Sequence, residues 1–225
     1  MWELAEAKRS RLIVALDNAF SELGEAIEAA RQYAVGVKIG LIPLLKQGPL
    51  AVKNFCAKYG DELYLLCDLK LADIPYVVMK ELEAIRSLGF DGAILHLVQG
   101  GVDEVARLPE RPDLFGVAAM SHPQSRIIDE KFDELVKEAA EAGIEGLIVP
   151  ATKPSFITRA RKKTSRLTLL SPGIGAQGAE PGSAITAGAD FEIVGRAVTQ
   201  AANPEAACRR IRDAINAALK LRGSR

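Results

Sequence analysis

Short apolar runs alternate along this chain with longer segments of helical periodicity. Runs of this length, bounded by polar or glycine-rich residues, are typical of buried strands. The eight strand candidates are Leu12–Leu16, Val35–Ile39, Leu63–Cys67, Ala93–Leu97, Gly116–Ala119, Leu147–Val149, Leu167–Leu170 and Glu192–Val194.

Amphipathic segments occupy the intervals between these runs. The predicted helices include Glu22–Tyr33, Val77–Leu88 and Asp129–Ala142, in which apolar residues recur on one helical face. Asn203–Leu221 is predicted to be a closing helix, with Asn203 as its N-cap and Pro204 at its first position. A short helix over Met1–Lys8 could cover the bottom of the fold.

Eight strand-helix repeats in 225 residues predict an α/β protein, a single-domain (β/α)8 TIM barrel spanning residues 1–225. A doubly wound open sheet is the alternative, because strand-helix alternation alone does not separate the two folds. No long polar linker interrupts the pattern, which favours one domain.

Composition narrows the functional classes. Lysine and arginine total 29 and aspartate and glutamate total 29, so the net charge is zero. A nucleic-acid binder normally carries a basic stripe, and no partner of that kind is expected. No stretch approaches the roughly 20 apolar residues of a membrane span, so no membrane partner is expected either.

The three cysteines, Cys56, Cys67 and Cys208, are far apart and form no CxxC pair. They predict neither a disulfide framework nor a zinc site, and reduced thiols in a cytoplasmic protein are the simplest interpretation. The segment Met1–Arg11 lacks the apolar region of a signal peptide.

The most unusual segment is Cys67-Asp68-Leu69-Lys70-Leu71-Ala72-Asp73-Ile74-Pro75. On a regular strand Asp68 and Lys70 would point to the same face, and Asp73 would follow the strand, just before a helix that Pro75 starts. Charges inside a barrel are costly unless they are paired. The segment is therefore either a structural ion pair at a strand end or part of a catalytic site.

The other strand ends favour the catalytic interpretation, since barrel enzymes place their chemistry at the carboxyl ends of the strands. Polar or glycine-rich residues follow nearly every predicted strand. They are Asp17, Lys38 within the second strand, Asp68-x-Lys70-x-x-Asp73, Met120-Ser121-His122-Pro123, Pro150–Pro154, Ser171–Gly178 and Gly195-Arg196.

Two features predict a phosphate site. Gly173, Gly175 and Gly178 follow the seventh strand, and Gly195-Arg196 ends the eighth. Glycines let backbone N–H groups approach an anion, an arginine adds two parallel hydrogen bonds, and this position is the usual phosphate site of the fold. Ordinary turn formation is the alternative. The glycines also make the segment from Ser171 to Pro181 a candidate lid.

Asp17, Lys38, Asp68, Lys70 and Asp73 would form an array of alternating charge. A protonated lysine beside carboxylates can act as a general acid and stabilise developing negative charge, but it is a poor Schiff-base nucleophile. A solvated rim network is the structural alternative. Strand-end carboxylates could bind Mg²⁺, although the interleaved lysines argue against a metal site. His96 is expected to be a locally hydrogen-bonded barrel residue.

These motifs together resemble one known family. Asp68-x-Lys70-x-x-Asp73, Met120–Pro123, Ser171–Gly178 and Ile193–Arg196 look like orotidine 5′-phosphate decarboxylase in its short, archaeal-type form, from about Arg11 to Arg212. The first motif is shared with sugar-phosphate enzymes of the same superfamily. The glycine loop together with Ser121-His122-Pro123 is more specific.

The resemblance implies a cytoplasmic, cofactor-independent and metal-free enzyme that converts orotidine 5′-phosphate to uridine 5′-phosphate (UMP) in pyrimidine synthesis. It implies that Lys70 protonates C6 and that Asp68 lies against the substrate carboxylate. It also implies a homodimer in which Asp73 reaches the partner's site.

The remaining roles are likewise implied by the resemblance. Asp17 and Lys38 would hold ribose hydroxyls, and Lys38 would complete the catalytic charge network. The other expected contacts are Ser121 with the pyrimidine, Pro172 in the substrate site, and Gln177, Gly195 and Arg196 with the phosphate.

One residue departs from the archaeal pattern: Val77 stands where such members usually carry a threonine that contacts ligand across the dimer. Two other functions stay open at this stage. One is a magnesium-dependent enzyme acting on a sugar phosphate such as 3-keto-gulonate 6-phosphate, and the other is a catalytically silent nucleotide-binding protein.

Overall fold

Eight parallel strands close into a barrel in the computed structural model, which describes residues 1–223. Each strand pairs with the next along the chain, and the eighth pairs with the first. This closure confirms the predicted (β/α)8 TIM barrel and excludes the open sheet. The strands are β1 Leu12–Leu16, β2 Gly36–Gly40, β3 Tyr64–Leu71, β4 Gly92–His96, β5 Asp113–Val117, β6 Gly146–Ile148, β7 Thr168–Pro172 and β8 Phe191–Val194.

Helices surround the barrel and connect its strands. They are α1 Trp2–Lys8, α2 Gly24–Tyr33, α3 Leu41–Tyr59, α4 Pro75–Ser87, α5 Val102–Ala106, α6 Arg126–Glu130, α7 Phe132–Ala142, α8 Pro154–Lys163, α9 Ser183–Ala187, α10 Arg196–Thr199 and α11 Pro204–Gly223, and a 3₁₀ turn spans Phe20–Glu22. No helix within residues 1–223 is long and apolar enough to cross a lipid bilayer.

Local sequence explains several helix boundaries. Asn203 Oδ1 accepts the Ala206 N–H at 2.9 Å, and Pro204 begins α11, which confirms the predicted start of that helix. The α1 helix packs at the amino-terminal end of the barrel, where the Trp2 ring lies edge-on to Phe191 with centroids 5.1 Å apart. The closing helix and the cover over the barrel bottom are therefore both present.

Two predicted boundaries are wrong for identifiable reasons. The fifth strand begins at Asp113 rather than Gly116, because its polar start is satisfied by hydrogen bonds: the Tyr64 hydroxyl donates to Asp113 Oδ2 at 2.8 Å, and the Leu114 N–H donates to Glu145 Oε2 at 2.7 Å. The helix predicted over Asp129–Ala142 is two helices, α6 and α7, which meet at Lys131.

The third strand also differs from the prediction. It was expected to end at Cys67, but it continues to Leu71 through an irregularity in its pairing with β4. Cys67 pairs with Ala93, whereas Leu71 pairs with Leu95, so β3 contains two more residues than its partner over that interval. The extra residues form a bulge that carries Asp68, Leu69 and Lys70.

All three cysteines are buried and free, as expected. Burial is the main reason that the pKa of each of these thiols is raised to about 12. A thiol with so high a pKa is not a nucleophile near neutral pH.

Candidate active site

The ends of β1, β2 and β3 bring four charges together. Lys38 Nζ lies 2.8 Å from Asp68 Oδ2 and 3.5 Å from Asp17 Oδ1. Lys70 Nζ lies 2.7 Å from the other oxygen, Asp68 Oδ1. Asp68 therefore lies between two ammonium groups, and the charges alternate in the order Asp17, Lys38, Asp68, Lys70.

Burial strengthens the electrostatic interactions at the centre of this array. The side chains of Asp68 and Lys38 are only 7% and 11% exposed, whereas Asp17 is 59% exposed. Burial opposes the charge on Asp68, but Lys38 and Lys70 outweigh it and hold the pKa of Asp68 below its ordinary value. Burial likewise opposes the charge on Lys38, yet Asp68 and Asp17 raise its pKa. Both groups are thus ionised at neutral pH.

The bulge in β3, rather than regular alternation along a strand, positions Lys70. Its φ is +51°, in the left-handed region that residues other than glycine rarely adopt. Such a conformation costs about 1–3 kcal/mol and persists only where surrounding contacts enforce it. The resulting Lys70 side chain is 39% exposed and reaches from the buried Asp68 towards the open mouth of the barrel.

Asp73 lies apart from the array within one chain. It is exposed, and its Oδ1 accepts the N–H of the next residue, Ile74, at 2.7 Å. No cation among residues 1–223 forms an ion pair with it. Of the predicted site residues, Asp73 alone does not line the barrel-mouth cavity.

The loop after β7 and the end of β8 form the opposite side of the mouth. Gly173 has a φ of +102°, and a Cβ there would lie 3.2 Å from Gln177 Oε1 and from Thr152 Cγ2, so a side chain would crowd both neighbours. The Gly175 N–H bonds to the Ala179 carbonyl at 2.7 Å and folds the loop back on itself. Pro172, Gln177, Gly195 and Arg196 all line the cavity from this side.

The Ser121 segment is held by the loop that follows β6. Thr152 Oγ1 donates to the Ser121 carbonyl at 3.1 Å. Lys153 Nζ donates to Ser125 Oγ at 2.8 Å and to Asp129 Oδ2, which joins the same segment to α6. The sequence pattern marks the polar residues after the sixth strand but indicates no role for them. Their partners are distant in sequence, and only the folded chain reveals them.

These elements enclose a cavity of about 510 Å³ at the carboxyl ends of the strands. Its floor is apolar, formed by Ile94, Val117, Ile148 and Ile193, and its walls carry the charged array on one side and the glycine loop on the other. The rim residues Leu41 and Ile42 also line the cavity, although the sequence pattern does not predict it; they follow β2 and are each 51% exposed. The cavity can thus hold a ligand that places an apolar part against the floor and polar groups at its two sides.

His96 differs from the prediction. Its Nδ1 is buried without a hydrogen-bond partner among residues 1–223, so the expected local bond is absent at that atom. Burial, and secondarily Lys70, lowers the pKa of His96 and favours the neutral imidazole. Within the same residues, no group of three or more His, Cys, Asp or Glu side chains is arranged to hold a metal ion.

The sequence profile described as "Orotidine 5′-phosphate decarboxylase / HUMPS family" matches residues 10–211, which include every site residue discussed above. The chain belongs to this family. Among curated relatives, the orotidine 5′-phosphate decarboxylase of Aeropyrum pernix is 38% identical over 220 residues, covering 92% of this chain and 89% of the relative. The orotidine 5′-phosphate decarboxylase of Thermoplasma volcanium is 36% identical over 200 residues, covering 87% of this chain and 88% of the relative.

Solved structures of the family share the fold over nearly the whole chain. The crystal structure of the orotidine 5′-monophosphate decarboxylase from Sulfolobus solfataricus superposes with a TM-score of 0.81 at 31% identity, covering 93% of this chain and 99% of that one. The structure of the Methanocaldococcus jannaschii enzyme, complexed with the inhibitor BMP, superposes with a TM-score of 0.82 at 25% identity. It covers 92% of this chain and 99% of that one. The family resemblance in the motifs is therefore confirmed.

Proposed function

We propose that this protein decarboxylates orotidine 5′-phosphate to UMP in pyrimidine synthesis, and that Lys70 protonates C6. The observation that carries the proposal is the Lys38–Asp68–Lys70 array on one side of a cavity whose other side is a glycine loop with Gln177 and Arg196. Family membership and the named relatives support the same reaction.

The chemistry follows from the charges. When the bond between C6 and the carboxylate breaks, carbon dioxide leaves and the electron pair remains on C6. The Lys70 ammonium stabilises this charge and then transfers a proton to C6, after which solvent reprotonates the amine. Asp68 keeps Lys70 in place, and its negative charge faces the substrate carboxylate that is lost.

The other site residues bind and orient the substrate in this proposal. Asp17 and Lys38 hold the ribose hydroxyls, and Ser121 contacts the pyrimidine. At the phosphate end, Gln177, Arg196 and the Gly195 amide bind the phosphate beside Pro172. Binding energy from the phosphate, remote from C6, orders the loop and excludes water from the reacting atoms.

A homodimer would complete the site by supplying the partner's Asp73. The proposal is supported by the exposure of Asp73, which has no cationic partner among residues 1–223, and by the exposed apolar side chains that follow it. Ile74 and Tyr76 are 63% and 66% exposed, and further exposed apolar residues of the same rim are Leu41, Ile42, Leu45 and Val98. Exposed apolar side chains just after three neighbouring strands, β2, β3 and β4, beside an incomplete site are typical of a surface that a second copy covers. Val77, which stands where the archaeal pattern has a threonine, is the third residue of α4 and directly follows Tyr76.

The test is the loss of ultraviolet absorbance of orotidine 5′-phosphate with purified protein and excess chelator, with UMP identified chromatographically. We expect conversion at the same rate with and without chelator. Folded protein that binds UMP tightly without turnover would instead be a silent binder. Magnesium-dependent turnover of a sugar phosphate, without conversion of orotidine 5′-phosphate, would replace the proposal with the sugar-phosphate alternative.

A further inference from the structure

Glu192 is a fully buried carboxylate on β8 that the proposed reaction does not use. Its exposure is 0%, and it pairs in register with Leu12 of β1 and Ser171 of β7. The next residue, Ile193, lines the cavity, so Glu192 points to the outside of the barrel, beneath the surrounding helices. A buried charge is costly and persists only where specific partners satisfy it.

Three backbone N–H groups satisfy this carboxylate. Oε2 accepts the N–H of Gly182 at 2.9 Å, and Oε1 accepts those of Ala184 at 3.0 Å and Ile185 at 3.4 Å. These donors belong to the start of α9 and the residue before it. Burial raises the pKa of Glu192, and the three N–H groups oppose that shift.

The cap is unusual because the side chain that supplies it belongs to a strand, β8, and not to the residue before the helix. Helix starts are ordinarily capped by the side chain of the preceding residue, but Gly182 has none. The hydroxyl of Ser183, the first residue of α9, is buried without a partner in residues 1–223. A local cap would satisfy these N–H groups without fixing α9 to the barrel, whereas Glu192 does both.

The capped position is the end of the glycine loop. Gly182 follows Pro181 and has a φ of +88°, and a Cβ there would lie 3.0 Å from the Ala214 carbonyl of α11. The loop that carries Gln177 therefore leaves the site at a tightly packed point. Three residues after Glu192 along the chain stand Gly195 and then Arg196, the other half of the predicted phosphate site.

We propose that Glu192 is a positioning residue for the phosphate end of the site, fixing the exit of the glycine loop relative to Gly195 and Arg196. This inference rests on the proposed function. Glu192 touches no substrate and acts through Gly182. Because the loop end is fixed before the ligand arrives, less ordering is needed when the phosphate binds.

The test compares ligands with and without phosphate in the variant Glu192→Gln. The amide keeps the shape of the side chain but turns an N–H donor towards a backbone N–H. We expect the inhibition constant of UMP, and KM for orotidine 5′-phosphate, to rise about tenfold, while the inhibition constant of uridine is unchanged. Asp190→Asn is the matched control, since Asp190 is also buried and lies just before β8, two residues from Glu192, but is paired with Arg161 instead.

Each outcome bears on the inference. The inference would be overturned if Glu192→Gln weakened the binding of UMP and of uridine equally, or changed neither. It would also be overturned if Asp190→Asn showed the same selective loss of UMP binding. If Glu192→Gln does not fold, Gly182→Ala disturbs the same contact from the loop side and must show the same selectivity for phosphate. Wild-type protein that binds UMP no better than uridine would contradict the proposed function itself, which separates the two failures.

Discussion

Lys38 Nζ lies 2.8 Å from Asp68 Oδ2 in the most buried ion pair of the site. Removing one member of such a pair leaves an uncompensated buried charge, which costs about 3–5 kcal/mol, whereas replacing both by apolar groups is often nearly neutral. We expect Asp68→Leu to lower the free energy of unfolding by about 3 kcal/mol and Lys38→Met/Asp68→Leu to recover most of that loss. Urea unfolding at pH 7 measures both. A double variant whose loss of stability equals the sum of the losses in Asp68→Leu and in Lys38→Met alone would contradict this account of the pair.

The neutral state favoured for His96 predicts a pH-dependent stability. Its pKa in the folded protein is lowered, so below about pH 6.5 the unfolded chain takes up a proton that the folded chain does not. Stability is therefore fully present above that pH and falls as the pH decreases towards the folded pKa. We expect His96→Phe to flatten the decrease between pH 7 and pH 5 in urea titrations. The exposed His122, changed to Phe, is the control and should leave the decrease as in wild type.

The ion pair between Lys153 and Asp129 is predicted to support catalysis through the Ser121 segment. Both side chains are largely buried, at 16% and 22% exposure. Asp129→Asn removes the charge that holds Lys153 and allows the segment to shift, so kcat/KM should fall about tenfold, because small misplacements of substrate-orienting groups have large effects. Asp133→Asn, which alters the more exposed pair with Arg159, should retain wild-type activity. Equal activity of the two variants would show that the buried pair has no role in positioning.

The proposed dimer predicts complementation between two inactive variants. If each site combines its own Lys70 with the partner's Asp73, a heterodimer of Lys70→Ala and Asp73→Asn chains contains one intact site and one doubly defective site. Random exchange should then restore about a quarter of wild-type activity, because half of the dimers are mixed and each has one intact site. The measurement is turnover after the chains are unfolded together and refolded. No recovery, with dimers present by light scattering, would place Asp73 outside the partner's site.

The alternation of strands and helices predicted the barrel, and the polar residues that follow the strands predicted much of the cavity lining, for a physical reason. Parallel strands with apolar interiors must close or be covered, and their carboxyl ends then converge. Hence Asp17, Ser121 and Arg196, which are far apart in sequence, could be expected around one mouth. All three line the cavity.

Other features depend on contacts that a linear pattern does not contain. The bulge at Lys70 replaces regular alternation because β3 holds two more residues than β4 over the same interval. The early start of β5 depends on the Tyr64 hydroxyl, and the contacts of Glu192 depend on the packing of α9 against β8. Each depends on pairing or contacts between residues at least seven positions apart in the chain, so local propensity could not reveal it.

The central claim is that Lys70 protonates C6, and the variant Lys70→Ala tests it most directly. With chelator present, UMP formation from orotidine 5′-phosphate should fall at least about a thousandfold, since both charge stabilisation and proton transfer are lost. Binding of UMP should change far less, because the phosphate and ribose contacts remain. Lys80→Ala, which removes an exposed lysine of α4 that pairs with Glu83, should match wild type. Turnover by Lys70→Ala close to that of wild type would contradict the account.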